Sequence, residues 1–365
     1  MSAAFGESAL RLPGERVLRT LPENLDPADE ALFAHEFVKD FASVEARSLS
    51  DLRVLPNGFL VRNFWPLAES FVNAPSGLRR AKVAVRALQY GLSARPGPGL
   101  GRALFATDEF SNGFFHWIGD VLPRLEALAA SAPGELAELT LVVPAMADFP
   151  YVAPSLAPYG LSPPRILGPD ESVRCAELVV MPAVAPTGNY RPALMRALRE
   201  RFRNFFGAVR PVGSAGSSGA DGSGRPAGSG RRLFISRAEA PWRRIADEEE
   251  LLPILERHGF ERVVMESLPF EEEVRLVAQA EVVVGNHGAG LTHLAWMAPG
   301  AKVLELRRRG DAANNCYFSL ASALDIAYYY LQCDPVYPAA DTHVADLVVD
   351  VAAFERTLAL VCSGA

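Results

Sequence analysis

From Arg232 to Leu306 short apolar runs alternate with helical stretches at close spacing, and few folds accept that order. Arg232–Ser236, Arg262–Met265, Glu281–Val284 and Lys302–Leu306 read as strands. The segments between them read as helices. Asp247 is placed to cap the first, with Glu248, Glu249 and Glu250 in the turn where the helix dipole favours anions, and Gly259 stops it. Glu271–Ala278 and Leu291–Met297 follow, the latter ended by Pro299 and Gly300. Such an alternation predicts an α/β fold with a parallel sheet and helices on both faces.

The first half is also α/β by pattern, though less regular. Val83–Tyr90, Ala103–Thr107, Leu139–Val143 and Leu178–Met181 read as strands, and Asn112–Ala129 and Pro192–Phe206 as helices. The first 58 residues show no clear pattern. Gly213–Gly230 reads GSAGSSGADGSGRPAGSG, which has too little apolar surface to offset its ordering entropy. The expected division is therefore a domain over 1–210, a flexible linker over 211–230 and a second domain over 231–365.

Composition narrows the function classes. With 365 residues, roughly two domains are expected. Lys and Arg number 36 against 43 Asp and Glu, a net charge of −7, which argues against general nucleic-acid binding. Apolar runs fall short of the ~20 residues that span a bilayer, and the start of the chain lacks a signal-peptide pattern. A cytoplasmic protein is expected, with at most peripheral association at the inner face of a bacterial inner membrane. Cys175, Cys316, Cys333 and Cys362 are widely spaced and suggest neither a metal cluster nor a disulfide framework.

The most informative stretch is VGNHGAGLTH, residues 284–293. A buried strand runs into glycines and then into a helix. Gly288, Ala289 and Gly290 would let backbone N–H groups approach an anion at the helix N-terminus, and His287 stands at its mouth. The plainer reading is a tight turn with a chance histidine. The pattern is not the G-x-G-x-x-G of a dinucleotide site.

Here the sequence resembles a known family. NHGAGLTHLAWMAPGAKVLEL (286–306) is similar to the C-terminal signature of family 61 glycosyltransferases, which include bacterial capsular polysaccharide biosynthesis proteins. ISRAEAPWRRIADEEE (235–250) resembles the family's S-R…R-R-I-x-N-E segment, and NGFFHWIGD (112–120) its N-x-x-x-H-x-x-x-D segment. Asp247 stands where Asn is usual and His293 where Asn is common. The resemblance implies two Rossmann-like domains facing across a cleft (GT-B type), with the donor nucleotide sugar on the C-terminal one. It also implies that Glu305 binds ribose hydroxyls, whereas by its residues alone this acid in an apolar strand either pairs with a neighbour such as Arg307 or sits at the strand's open end.

Transfer from a nucleotide sugar leaves a nucleoside diphosphate whose charge needs stabilising. No Asp-x-Asp occurs, so no metal and no other cofactor is expected. Arg237, Arg243 and Arg244 are the candidate phosphate donors; the plainer reading of Arg243 and Arg244 is a surface pair with Glu248 or Glu249. In the first half Asn112, His116 and Asp120 recur every fourth residue and would share one helix face. Asp120 or His116 would take the acceptor hydroxyl proton, with Asp120 preferred and His116 nearly as good, and Asn112 would contact substrate. The alternative is a surface His–Asp pair. Trp117 would flank a sugar or fill the core.

The expected function is inverting transfer of a sugar from a nucleotide sugar to a glycan or polysaccharide acceptor, in capsule or other surface polysaccharide synthesis. The alternatives are a non-catalytic nucleotide-sugar or glycan-binding protein and, less well supported, a dinucleotide-dependent dehydrogenase. His35, His258 and His343 join no constellation.

Overall fold

The computed structural model describes residues 11–63, 65–72, 76–208, 230–338 and 344–363. The expected linker, except Gly230, and His343 lie outside the described residues. Contacts divide the chain into two compact units. One holds the chain up to Val17 with Asp40–Leu194, and the other Leu18–Lys39 with the chain from Met195 on.

This division differs from the expected boundaries, for two packing reasons. Phe33 lies against Phe318, Tyr328 and Tyr330, and Asn315 Nδ2 donates to the Leu32 carbonyl at 2.8 Å, which joins residues 18–39 to the second unit. Helix Pro192–Phe205 likewise stacks Phe202 on Trp296, with ring centres 4.7 Å apart.

The first unit is built on an eight-stranded sheet: β1 Arg47–Val54, β2 Leu60–Arg62, β3 Trp65–Pro66, β4 Arg95–Pro96, β5 Leu100–Phe105, β6 Thr140–Val143, β7 Arg165–Ile166 and β8 Glu171–Val180. Its order is β7-β6-β5-β8-β1-β2-β3, with β4 beside β8. The β7 to β8 pairings are parallel, but β8 to β3 run antiparallel. This half is therefore a mixed sheet and not the parallel one implied by a Rossmann-like domain. One face buries Leu52, Val54, Phe105, Val142, Leu178 and Val180 together.

The expected strand at Val83–Tyr90 is instead part of helix Gly77–Ser93. Ser76 Oγ accepts from the Arg79 N–H and starts it, and Val83 and Ala87, one turn apart, meet Phe59 and Phe71. Exposed Val85 and Leu88 supplied the misleading apolar run.

The second unit matches its pattern closely. Strands β9 Arg231–Ile235, β10 Phe260–Val263, β11 Ala280–Asn286, β12 Lys302–Arg308, β13 Ala327–Pro335 and β14 Leu347–Val348 form one sheet in the order β10-β9-β11-β12-β13-β14. The first five are parallel and β14 is an antiparallel edge. Alternate residues Phe234, Val282, Val284, Leu304 and Leu306 pack under Leu251, Ile254 and Leu255 of helix Glu248–Arg257 and Phe354, Leu358 and Val361 of helix Val351–Ser363. Each such side chain contributes roughly 1.5–3 kcal/mol by leaving water. Asp247 precedes helix Glu248–Arg257 but makes no side-chain cap, contrary to expectation.

Candidate active site

The order of the second sheet has a physical consequence. The chain leaves β9 toward β10 and leaves β11 toward β12, in opposite directions across the sheet, so the carboxyl ends of β9 and β11 form the switch point at which such sheets place a ligand crevice. Ile235 pairs with Gly285 at that point. The residues that follow, Ser236-Arg237 and Asn286-His287, therefore flank the crevice.

Arg237 is almost buried at 7% exposure. Its Nε donates to the Arg243 carbonyl at 3.2 Å and its Nη2 to the Trp242 carbonyl at 3.1 Å. Burial and then the nearby Arg243 charge lower its pKa from the usual guanidinium value. An anion between these groups would relieve both penalties. Asn286 also donates to the Arg243 carbonyl, which fixes the 237–243 loop and leaves Trp242 exposed. Arg243 holds a left-handed backbone, φ 54°, a costly state for a side-chain-bearing residue.

The glycines are required for a reason the sequence did not reveal. A Cβ at Gly288 would stand 2.9 Å from Arg237 Nη1, and one at Gly290 2.8 Å from Ile235 Cγ2. They make room for the protein's own arginine and strand. A 3₁₀ helix, Ala289–Trp296, starts beyond Gly288, so Ala289 and Gly290 offer first-turn N–H groups there. His293, which stands where Asn is common in the family, is buried. Its Nδ1 donates to the Gly290 carbonyl at 2.8 Å, and its Nε2 lies 3.2 Å from Glu273.

Behind His287 lies a buried polar chain. Alternation along β12 puts Glu305 and Arg307 on the face opposite Leu304 and Leu306. Glu305 is fully buried, with Oε1 on His287 Nδ1 and Oε2 accepting from the Tyr328 hydroxyl. Arg307 Nη1 donates to the same hydroxyl at 3.2 Å. Burial alone would raise the Glu305 pKa, but the His287 charge and hydrogen bond, Arg307 and Tyr328 together hold it below normal. With both oxygens occupied and no exposed surface, Glu305 orients His287. It does not present a carboxylate to ribose in this structure.

Arg244 is exposed and paired with Asp346 at 3.3 Å, not with the glutamates considered for it. Glu248 instead accepts from Ser236 Oγ at 2.6 Å and pairs with Arg262.

In the first unit the helical run begins at Phe114, not Asn112. It comprises Phe114–His116, a π-helical turn at Trp117–Val121, and Leu122–Ser131. Pro123 has no N–H and its ring would strike the Gly119 carbonyl of a regular helix. The π turn widens the helix at that point, so it continues through the proline. Asn112 sits in the preceding exposed turn and does not share the face of His116 and Asp120; its carbonyl accepts from the Tyr151 hydroxyl. Trp117 is fully buried, donating to Ser155 Oγ at 2.8 Å, and is core.

His116 and Asp120 do meet, Nδ1 to Oδ2 at 2.7 Å. Thr187 Oγ1 donates to the same oxygen at 2.9 Å. Asp120 is 8% exposed, whereas the His116 side chain is 23% exposed. The carboxylate is the inner group and the imidazole the outer one.

The sequence model of Glycosyltransferase 61 matches residues 114–304, just over half of the chain. The chain belongs to glycosyltransferase family 61. This family 61 member is similar to EGF domain-specific O-linked N-acetylglucosamine transferases. It is 35% identical to that of Drosophila melanogaster over 117 residues, 31% of this chain and 22% of the relative. For the Bos taurus protein the match is 32% over 108 residues, 28% of this chain and 20% of the relative. The match thus spans about a fifth of the length of these relatives.

The sequence pattern marked Arg237, His287, His116 and Asp120 as candidates and gave no sign of Thr187, which is 67 residues from its partner Asp120. Nor did it mark Tyr328, which bonds Glu305, or Glu273, which meets His293. Among the described residues no group of three or more His, Cys, Asp or Glu side chains is placed to hold a metal ion, and no helix is long and apolar enough to cross a membrane.

Proposed function

We propose that this chain transfers a sugar, with inversion, from a nucleotide sugar bound at the β9/β11 crevice to a hydroxyl acceptor activated by His116. The observation that carries the reading is Arg237, nearly buried against Gly288 beside a glutamate-held His287 at a sheet switch point. Fixed donors of this kind suit a diphosphate whose negative charge grows as the glycosyl bond breaks. Arg237, Arg243, His287 and the N–H groups of Ala289 and Gly290 supply the stabilisation, and no metal is needed.

His116 is the base in this reading, in place of the Asp120 preferred from sequence. Asp120, itself bonded by Thr187, holds its Nδ1, leaving Nε2 to take the proton, the arrangement of other oriented histidines. The acceptor oxygen attacks the anomeric carbon, a new C–O bond forms, and the electron pair of the broken bond leaves on the diphosphate. The GT-B arrangement that family 61 implies is part of this proposal. So is a glycan acceptor in surface polysaccharide synthesis at a cytoplasmic membrane face. The relatives' names make a nucleotide-activated N-acetylglucosamine the first donor to test.

Calorimetry with nucleoside diphosphates tests the donor site. Arg237→Ala should weaken binding by ~2–5 kcal/mol, the cost of removing a desolvated charge partner. Donor turnover should persist in excess chelator. Unchanged binding in the variant removes Arg237 from the site, and loss of turnover with chelator overturns the metal-free mechanism.

A further inference from the structure

Two exposed phenylalanines of the first unit, Phe110 and Phe149, connect to the segment that carries His116, the second through part-buried Tyr151. Phe110 lies over the imidazole, ring centres 5.4 Å apart and planes at 23°, yet is 43% exposed. Phe149, 39% exposed, stacks on Tyr151 at 5.5 Å with planes 1° apart. Tyr151 meets Phe114 edge-on at 5.1 Å, and its hydroxyl donates to the Asn112 carbonyl at 3.3 Å. Both ring pairs are thus tied to one short segment, 110–116.

That segment is fixed from beneath. Asp108 accepts from the Phe110 N–H at 3.0 Å and from Ser111 Oγ at 3.2 Å. Arg124, buried, donates to Asp108 at 2.6 Å and to the carbonyls of Ala106 and Thr107. A large apolar side chain left open on a rigid loop, stacked on a candidate base, is the unusual feature; an isolated surface phenylalanine would need no explanation.

We propose that Phe110, Phe149 and Tyr151 form the acceptor subsite beside His116, and that they receive a neutral pyranoside through its apolar C–H face. The proposal rests on His116 being the base. Aromatic faces carry negative quadrupole density and attract the polarised C–H bonds of a sugar ring, while its hydroxyls stay at the edge for the base. Apart from His116 these rings are uncharged, since burial raises the Tyr151 phenol well above its usual value. Among the described residues, the cations bonded beside this segment are already paired, Arg79 with Glu109 and Arg124 with Asp108, which favours a neutral acceptor over a carboxylate or phosphate.

Saturation-transfer NMR on the full chain, with a nucleoside diphosphate present, tests this. The probes are methyl glycopyranosides of the gluco, galacto, manno and 2-acetamido-gluco series. At least one should show ring C–H saturation. The signal should fall about fivefold or more in Phe110→Ala and in Phe149→Ala, the effect of losing an aromatic contact residue, and survive in Phe110→Tyr. Nucleoside diphosphate affinity should be the same in all three variants. No saturation by any pyranoside, or saturation indifferent to both alanine changes, overturns the subsite. So does preferential saturation of a short prenyl alcohol or a serine-containing peptide. Failure of the donor reading would show separately, as absent nucleoside diphosphate binding in the wild type.

Discussion

In the proposed mechanism, proton transfer at His116 would depend on a single carboxylate oxygen. Asp120 Oδ2 takes both the imidazole and the Thr187 hydroxyl. His116→Ala should therefore lower kcat by ~10²–10⁴, the worth of a general base, with nucleoside diphosphate affinity unchanged. Asp120→Asn should cost less, because an amide oxygen still accepts from Nδ1. Thr187→Val should cost less again. Steady-state kinetics of the three variants at saturating donor check the ranking, and an Asp120→Asn more damaged than His116→Ala would return the base to Asp120. The i, i+4 spacing made the His–Asp pair readable in the sequence. Thr187 was not, because its contact is made by chain return, with no local pattern to announce it.

At the level of elements, the glycine turn was located correctly from sequence and explained incompletely. Its glycines were read as openings for a ligand, but they first make space for Arg237 and Ile235. Gly290→Ala should destabilise by about 1–3 kcal/mol through overpacking and also weaken anion binding by displacing the turn. Gly134, where an added Cβ meets nothing within 4 Å, is the control, and Gly134→Ala should be neutral or slightly stabilising. Thermal melts of both variants decide, and equal melting temperatures would show that the turn yields freely. The helix at Gly77–Ser93 was misread as a strand because one exposed apolar run imitates another. The helical periodicity of Val83 and Ala87 becomes visible only once their partners Phe59 and Phe71 are in place.

For the whole molecule, acid is the informative stress. Three buried or part-buried carboxylates of the second unit are held below their ordinary values. Burial opposes the shift at each. Lys39 and Arg19 overcome it at Glu36, His287 and Arg307 at Glu305, and Asn314 and local N–H groups at Asp311. A depressed carboxylate adds stability above its unfolded pKa, and that stability is lost as pH falls through the lower folded value. Melting temperature should thus decline below the ordinary value of 4.5 for Glu36 and Glu305. Glu305→Gln should be less stable at neutral pH and show a shallower acid decline. A variant with the wild-type acid profile would show that Glu305 does not titrate with unfolding.

The sequence by itself determined the parallel sheet of the second unit, the place of its glycine turn, and the pairing of His116 with Asp120. Those features rest on local periodicity and short spacing, which a linear chain carries openly. Only the tertiary structure decided that Leu18–Lys39 pack with the second unit and that the first sheet is half antiparallel. It also decided that Glu305 is sealed behind His287. Each depends on which distant residues share a buried volume. Glu305 shows why: an acid in an apolar strand must find partners, and the sequence offered Arg307 two residues away. The fold supplied Tyr328 from the next strand and His287 from the turn, because alternate side chains of adjacent parallel strands face the same side.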